Sequence, residues 1–167
     1  MSEEETVFSS KVKYEGIFSL KNFYKFCYEW LTDEVGLDIE ESKYKEKLVG
    51  DSKNVEIQWK GKKKITDYFQ FYIKVDYQVL GLKKTEVIQN GVKVSTNTGS
   101  VQVKVKGILI RDYDGKFERT SRRKFMRGIY EKWVIPARIE EFEERLISKC
   151  DEFLNQAKAY LDLEGQK

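Results

Sequence analysis

The spacing of apolar residues changes twice between a period of two and a helical period. Residues 7–17 alternate between apolar and polar side chains, which predicts a half-buried strand. Ser19 then offers an N-cap hydroxyl to a helix, and Gly36 offers a left-handed cap at its end. The apolar stripe of this helix is spaced i, i+3, i+4, i+7 and i+8, at Phe23, Phe26, Cys27, Trp30 and Leu31.

Residues 43–112 return to a period of two, which predicts about six antiparallel strands joined by short turns. Residues 64–80 alternate without interruption. Since they would span roughly 56 Å as one strand, we expect a bend or bulge among them. The predicted turns are residues 60–62, Asn90-Gly91 and residues 97–100, and Asp114-Gly115 ends the sheet.

A helical period resumes after Ser121 and is broken or kinked at Pro136, the chain's one proline. A helix over residues 136–163 would be about 42 Å long. Only a large sheet face or a partner helix could cover its apolar stripe. We therefore predict a single α+β domain over residues 1–167, with a long curved antiparallel sheet packed on a long C-terminal helix. Residues 1–6 and 164–167 are expected to be disordered.

The order of elements is strand, helix, about six strands and a long helix, and it resembles the helix-grip fold of the START/SRPBCC superfamily. In that fold a curved sheet wraps the last helix and leaves a cavity between them. Some members carry a glycine-rich loop between the second and third strands, where this chain has Gly50-Asp51-Ser52. The resemblance implies an internal apolar pocket for a lipid, sterol, polyketide or similar molecule.

Composition limits the possible partners. The 31 basic and 28 acidic residues leave a net charge of +3, so electrostatic preference must be local. The two cysteines match no metal or redox spacing. The acidic N-terminus lacks the apolar run of a signal peptide, and no stretch approaches the roughly 20 apolar residues of a membrane span. We expect a cytoplasmic protein.

Catalysis is disfavoured because the chain contains no histidine. This excludes Ser-His-Asp and Cys-His nucleophile systems and histidine-containing zinc sites. No P-loop or Gly-x-Gly-x-x-Gly run is present. Asp76 lies between Lys74 and Gln78 on a polar strand face, where a solvated cross-strand partner is the simpler interpretation. We expect no enzyme activity, cofactor or metal.

Aromatic side chains form 14% of the residues, and many lie on the predicted inner face. Ordinary core packing and a ring-lined ligand pocket both fit this pattern. The pocket hypothesis assigns ligand contact to Tyr14, Trp59, Phe69, Phe71, Tyr77, Phe125, Ile129 and Trp133. In that case the chain is a carrier or binder of a small hydrophobic molecule or lipid, with tyrosine hydroxyls orienting the ligand.

Basic residues are dense between residues 116 and 127, and the lysine-rich turn at residues 60–64 is predicted to lie at the same end of the sheet. Such a patch attracts the phosphates of lipid headgroups or of nucleic acid, although a solvated helix start is also compatible with it. The candidate docking residues are Lys62, Lys63, Arg119, Arg122, Arg123, Lys124 and Arg127. We rank an anionic membrane surface above nucleic acid as the partner. A third alternative is assembly through the stripe at residues 139–161, and the sequence leaves the oligomeric state open.

Overall fold

The structure is a computed structural model that describes residues 3–111 and 136–165. These residues form five strands, two α-helices and one π-helical turn. In chain order they are β1 (Glu3–Phe18), α1 (Leu20–Trp30), the π turn (Leu31–Val35), β2 (Asp38–Val49), β3 (Ser52–Lys64), β4 (Phe69–Gln89), β5 (Val92–Arg111) and α2 (Pro136–Gly165).

The sheet has the order β1-β5-β4-β3-β2, and every neighbouring pair is antiparallel. The prediction of an α+β architecture with the C-terminal helix packed on an antiparallel sheet is confirmed. β2 to β5 follow one another as a meander, whereas β1 pairs with β5. The Asn90-Gly91 turn is also confirmed, since both residues have positive φ, 52° and 80°, as a two-residue hairpin requires.

Two predicted turns are wrong, so the described residues form four strands after the first helix, β2 to β5, where the sequence predicts about six. Residues 60–62 lie inside β3, where Gly61 makes room for the Leu37 side chain. A Cβ at Gly61 would lie 2.8 Å from Leu37 Cδ1. Residues 97–100 lie inside β5, where Gly99 meets the backbone of a bulge at Gly81–Leu82 in β4. Both glycines permit close approach of another segment and leave the strand unbroken.

Within residues 1–6, which the sequence predicts to be disordered, the described residues 3–6 form the start of β1. Glu3 to Thr6 pair with β5, and the guanidinium of Arg111 lies 3.7 Å from a carboxylate oxygen of Glu3 and 3.8 Å from one of Glu5. At the other end of the chain, α2 extends through Gly165. Backbone pairing with β5 therefore holds this acidic segment, and Arg111 lies beside its carboxylates.

The two helices share one face of the sheet. Ser19 caps α1 by accepting a hydrogen bond from the Asn22 backbone N–H at 3.3 Å, and Gly36 closes the π turn with φ of 81°. α2 crosses β5 at Gly107, where an added Cβ would lie 2.9 Å from Cys150 Sγ. The α2 stripe is buried in the core at Phe142, Leu146, Cys150, Phe153, Ala157 and Leu161. This stripe, proposed above as an assembly surface, therefore packs inside the molecule.

Candidate functional site

The predicted ligand-contacting rings fill the space between the sheet and the helices. Trp59 packs 4.8 Å from Tyr77 and 5.0 Å from Tyr24 between ring centroids, and Phe23 lies 6.2 Å from Tyr77. Trp59 is 1% exposed and Tyr77 4%. Trp59 and Tyr77, two members of the predicted set, are therefore in contact, and α1 packs over them.

The other described rings of that set contact α2 or its surroundings. Phe69 lies 5.0 Å from Phe142 between ring centroids, and the guanidinium of Arg145 lies 6.0 Å from the Phe71 ring. Tyr14 is half-buried, and Lys158 lies 5.4 Å from its ring centroid. All three therefore have protein neighbours. Phe125, Ile129 and Trp133 lie outside the described residues.

The hydroxyl of Tyr77 is a polar atom inside this ring cluster. It is buried and has no hydrogen-bond partner among the described residues, although the Cys27 thiol is a neighbour. Burial is the main cause that raises the pKa of Tyr77 well above 10, and it also raises the pKa of Cys27. Both groups are neutral at physiological pH.

An open groove of about 350 Å³ lies beside this core, between α1, β2 and β3 and the bulge of β4. We call it the α1 groove. Ile57 and Leu82 are both nearly fully buried and give it an apolar floor. Its volume falls within the roughly 300–1,000 Å³ of small-molecule sites. The complete lining is Leu20, Lys21, Tyr24, Tyr44, Lys53, Ile57, Leu82 and Asn97.

Tyrosine–glutamate hydrogen bonds hold the walls of the α1 groove. The Tyr24 hydroxyl donates to Glu41 Oε1 at 2.8 Å, and the Tyr44 hydroxyl donates to Glu46 Oε1 at 2.8 Å. Lys53 Nζ donates to the same Glu46 oxygen at 3.2 Å. Burial, followed by these hydrogen bonds, raises the pKa of each tyrosine to about 12. The hydrogen bond from Tyr44 is the main cause that lowers the pKa of Glu46.

The chemistry of this groove suits binding. The phenols stay protonated at neutral pH and can donate or share hydrogen bonds, while Lys53 is already paired with Glu46. Lys21 has no ion pair within the part of the chain that the structure describes, so its ammonium is available to an anion. The groove thus combines an apolar floor with one available positive charge at its rim.

Sequence reasoning missed the α1 groove. The two-residue period predicted strands over residues 43–112 but not which helix packs beside them. It gave no reason to place Tyr44 near Tyr24, which is 20 positions earlier in the chain. The one available signal was the position of Tyr44, three residues after Glu41 and two before Glu46, and such spacing is common on exposed surfaces.

The predicted docking lysines are not brought together. Lys62 faces the outer side of the sheet, with its Nζ 5.5 Å from the Tyr72 ring centroid. Lys63 points to the opposite side and donates to the Val35 carbonyl at 2.8 Å. Adjacent strand residues project to opposite faces, so the two cannot form one patch. Arg119, Arg122, Arg123, Lys124 and Arg127 lie outside the described residues.

Within residues 3–111 and 136–165, no group of three or more metal-ligating side chains is close enough to hold an ion. No helix in the same ranges is long and apolar enough to cross a bilayer. No protein-family model matches the sequence, and no curated protein matches it at a significant level.

Proposed function

We propose that the chain is a non-enzymatic, cytoplasmic binding protein of helix-grip-like architecture that holds a small, mostly apolar molecule with one acidic group. The α1 groove is the site. Its apolar floor takes the hydrocarbon part of the ligand, and Lys21 pairs with the acidic group. The observation that carries the proposal is this placement of an available ammonium beside buried Ile57 and Leu82.

The helix-grip part of the proposal draws support from topology. The first strand pairs with the last, and the C-terminal helix crosses the same pair of strands. The interior rings already contact one another, which favours a ligand at the edge of the core over one enclosed by it. The ligand site therefore differs from the ring set that the sequence suggested.

A fluorescent probe with the same chemistry tests this proposal. Anilinonaphthalene sulfonate joins an aromatic body to a permanent anion, and decanoate can compete with it. We expect Lys21→Gln to weaken probe affinity about fivefold, the value of one unit charge near 4 Å in water. Tyr44→Ala should also weaken it, because an exposed wall of the groove is removed.

Lys25→Gln is the matched control, since Lys25 is an exposed lysine one turn further along α1 and does not line the groove. The affinity of the Lys25→Gln variant for the probe should equal that of the unmodified protein. Equal loss in the Lys21 and Lys25 variants, or saturable binding that neither Lys21→Gln nor Tyr44→Ala affects, would exclude the α1 groove as the site.

A further inference from the structure

The face of the sheet opposite the two helices carries a row of lysines across three neighbouring strands. Lys60 on β3 lies directly opposite Lys74 on β4, and Lys74 lies directly opposite Lys106 on β5. Directly opposed residues in an antiparallel pair have Cα atoms about 4.5–5.5 Å apart. The Cα atoms of these three lysines therefore lie on neighbouring strands, within roughly two strand spacings of one another.

A fourth lysine extends the row. Lys104 lies two positions before Lys106 on the same face of β5, and its neighbour on β1 is Lys11. Asp76, opposite Lys104 on β4, is the one carboxylate among the residues that line the groove here. The four groove-lining lysines, Lys60, Lys74, Lys104 and Lys106, are called the outer lysine site.

These lysines have no anionic partner in the described part of the chain. No carboxylate oxygen among residues 3–111 and 136–165 lies within 4.0 Å of their ammonium groups. Other sheet lysines are paired, such as Lys43 with Glu56 at 2.8 Å. Like charges directly opposite each other on a sheet are unfavourable. Two carboxylates lie in register with the row, Glu40 on β2 opposite Lys60 and Asp76 opposite Lys104, but neither forms an ion pair with these lysines within 4.0 Å.

The outer lysine site borders a shallow groove of about 390 Å³. Gln58 and Ser42 lie on its walls, and the Ser42 hydroxyl donates to the Gln58 carbonyl at 3.3 Å. The side-chain amide of Gln58 adds a neutral donor to the ammonium groups. Phosphate oxygens accept hydrogen bonds from both kinds of donor. We propose that the outer lysine site binds a cluster of phosphate groups, either of a free polyphosphate or of a phosphorylated lipid headgroup.

This proposal does not depend on the α1 groove, because the two sites lie on opposite faces of the sheet. The occupant is a compact anion with several charges, since four lysines line one groove. The Tyr72 face at the margin is already occupied by Lys62 and Lys74, each 5.5 Å from its centroid, so a stacked nucleic-acid base is disfavoured.

Calorimetric titration with inorganic tripolyphosphate at low salt tests the site. Lys74→Gln and Lys106→Gln should each weaken binding about fivefold, and Asp76→Asn should strengthen it about fivefold, because each changes one unit charge near the anion. Lys84→Gln is the control: Lys84 is exposed on β4 but lies outside this groove. Thermal melting of each variant checks that the fold is retained.

Further titrations identify the source of the phosphate. Vesicles of phosphatidylcholine with a phosphoinositide should bind more tightly than tripolyphosphate, with the same Lys74 dependence, if the ligand is a headgroup. If the protein binds tripolyphosphate but not the vesicles, the natural ligand is a free polyphosphate. Any one of four results would overturn the proposal. The first two are that the protein binds neither tripolyphosphate nor the vesicles, and that Lys84→Gln weakens binding as much as the groove variants do. The other two are that a single-stranded oligonucleotide binds more tightly than both probes, and that Asp76→Asn gives no gain in affinity. The anionic groove probe should still bind these variants, so failure here leaves the α1 groove unaffected.

Discussion

Replacing Tyr77 by phenylalanine should stabilise the protein. The change removes one hydroxyl that is buried without a hydrogen-bond partner in the described residues, and it keeps the ring contacts with Trp59 and Phe23. A buried polar group left without a partner costs about 1–3 kcal/mol. The small void left by the oxygen offsets part of this gain. We therefore expect the free energy of unfolding to rise by about 1 kcal/mol.

Urea denaturation measures this difference directly. For a chain of 167 residues, a gain of this size should also raise the melting temperature by roughly 2–4 °C. The denaturation midpoint should increase while the slope with urea stays unchanged, because the surface exposed on unfolding is nearly the same. The pKa of Tyr77 lies well above 10, so the result should be the same at pH 6 and pH 8.

Tyr14→Phe is the matched control, because it removes the same atom from a hydroxyl that does have a partner. The Tyr14 hydroxyl donates to the Ile17 carbonyl at 2.8 Å. Its removal should lower stability by about 0.5–1.5 kcal/mol. A loss of 1 kcal/mol or more in Tyr77→Phe would refute the reasoning, since it would mean that the Tyr77 hydroxyl is satisfied, either by the neighbouring Cys27 thiol or by a bound water or guest molecule.

Two further predictions concern α2. Gly107→Ala should lower the free energy of unfolding by about 1–3 kcal/mol, because the new methyl group would lie 2.9 Å from Cys150 Sγ and 3.4 Å from the Leu146 side chain. An unchanged denaturation midpoint would contradict this close crossing of α2 over β5. Burial and the neighbouring Glu5 carboxyl raise the pKa of Glu143, although Arg111 opposes the shift. The stabilising contribution of this carboxyl is therefore complete below its ordinary value of 4.5 and is lost as the pH rises through the raised value. Glu143→Gln should be more stable than the unmodified protein at pH 7 and should lose that advantage near pH 4. Melting curves between these pH values measure the difference. A variant that is less stable than the unmodified protein at pH 7 would mean that the pKa of Glu143 is lowered.

The sequence was sufficient for elements defined by near neighbours. The α1 stripe, the Ser19 cap, the left-handed Gly36 and the Asn90-Gly91 turn depend on residues a few positions apart, and the structure confirms each of them. The alternation through β4 and β5 likewise predicted which side chains face the helices. These features follow from local geometry, so a single sequence is enough to find them.

Features that depend on distant segments were mispredicted. A glycine between lysines is typical of a turn, but Gly61 lies within a strand because Leu37 packs over it. The error also hid the outer lysine site: Lys60 and Lys74 are opposed only when β3 continues through Gly61. In the same way, the α1 groove depends on the bulge that turns the Leu82 side chain to the buried face, opposite Lys53, and periodicity carries no information about such a register shift.

The pairing of β1 with β5 has a consequence for synthesis of the chain. Three of the four strand pairs join consecutive strands through connections of two to four residues and can form as soon as each hairpin is made. Glu3, in contrast, pairs with Arg111, so at about 5–20 residues per second β1 waits roughly 5–20 s for its partner to be translated. α2 contacts both strands and is translated later still. β2, β3 and β4 can therefore pair while β1 still lacks a partner, and β1 enters the sheet only once β5 has been made.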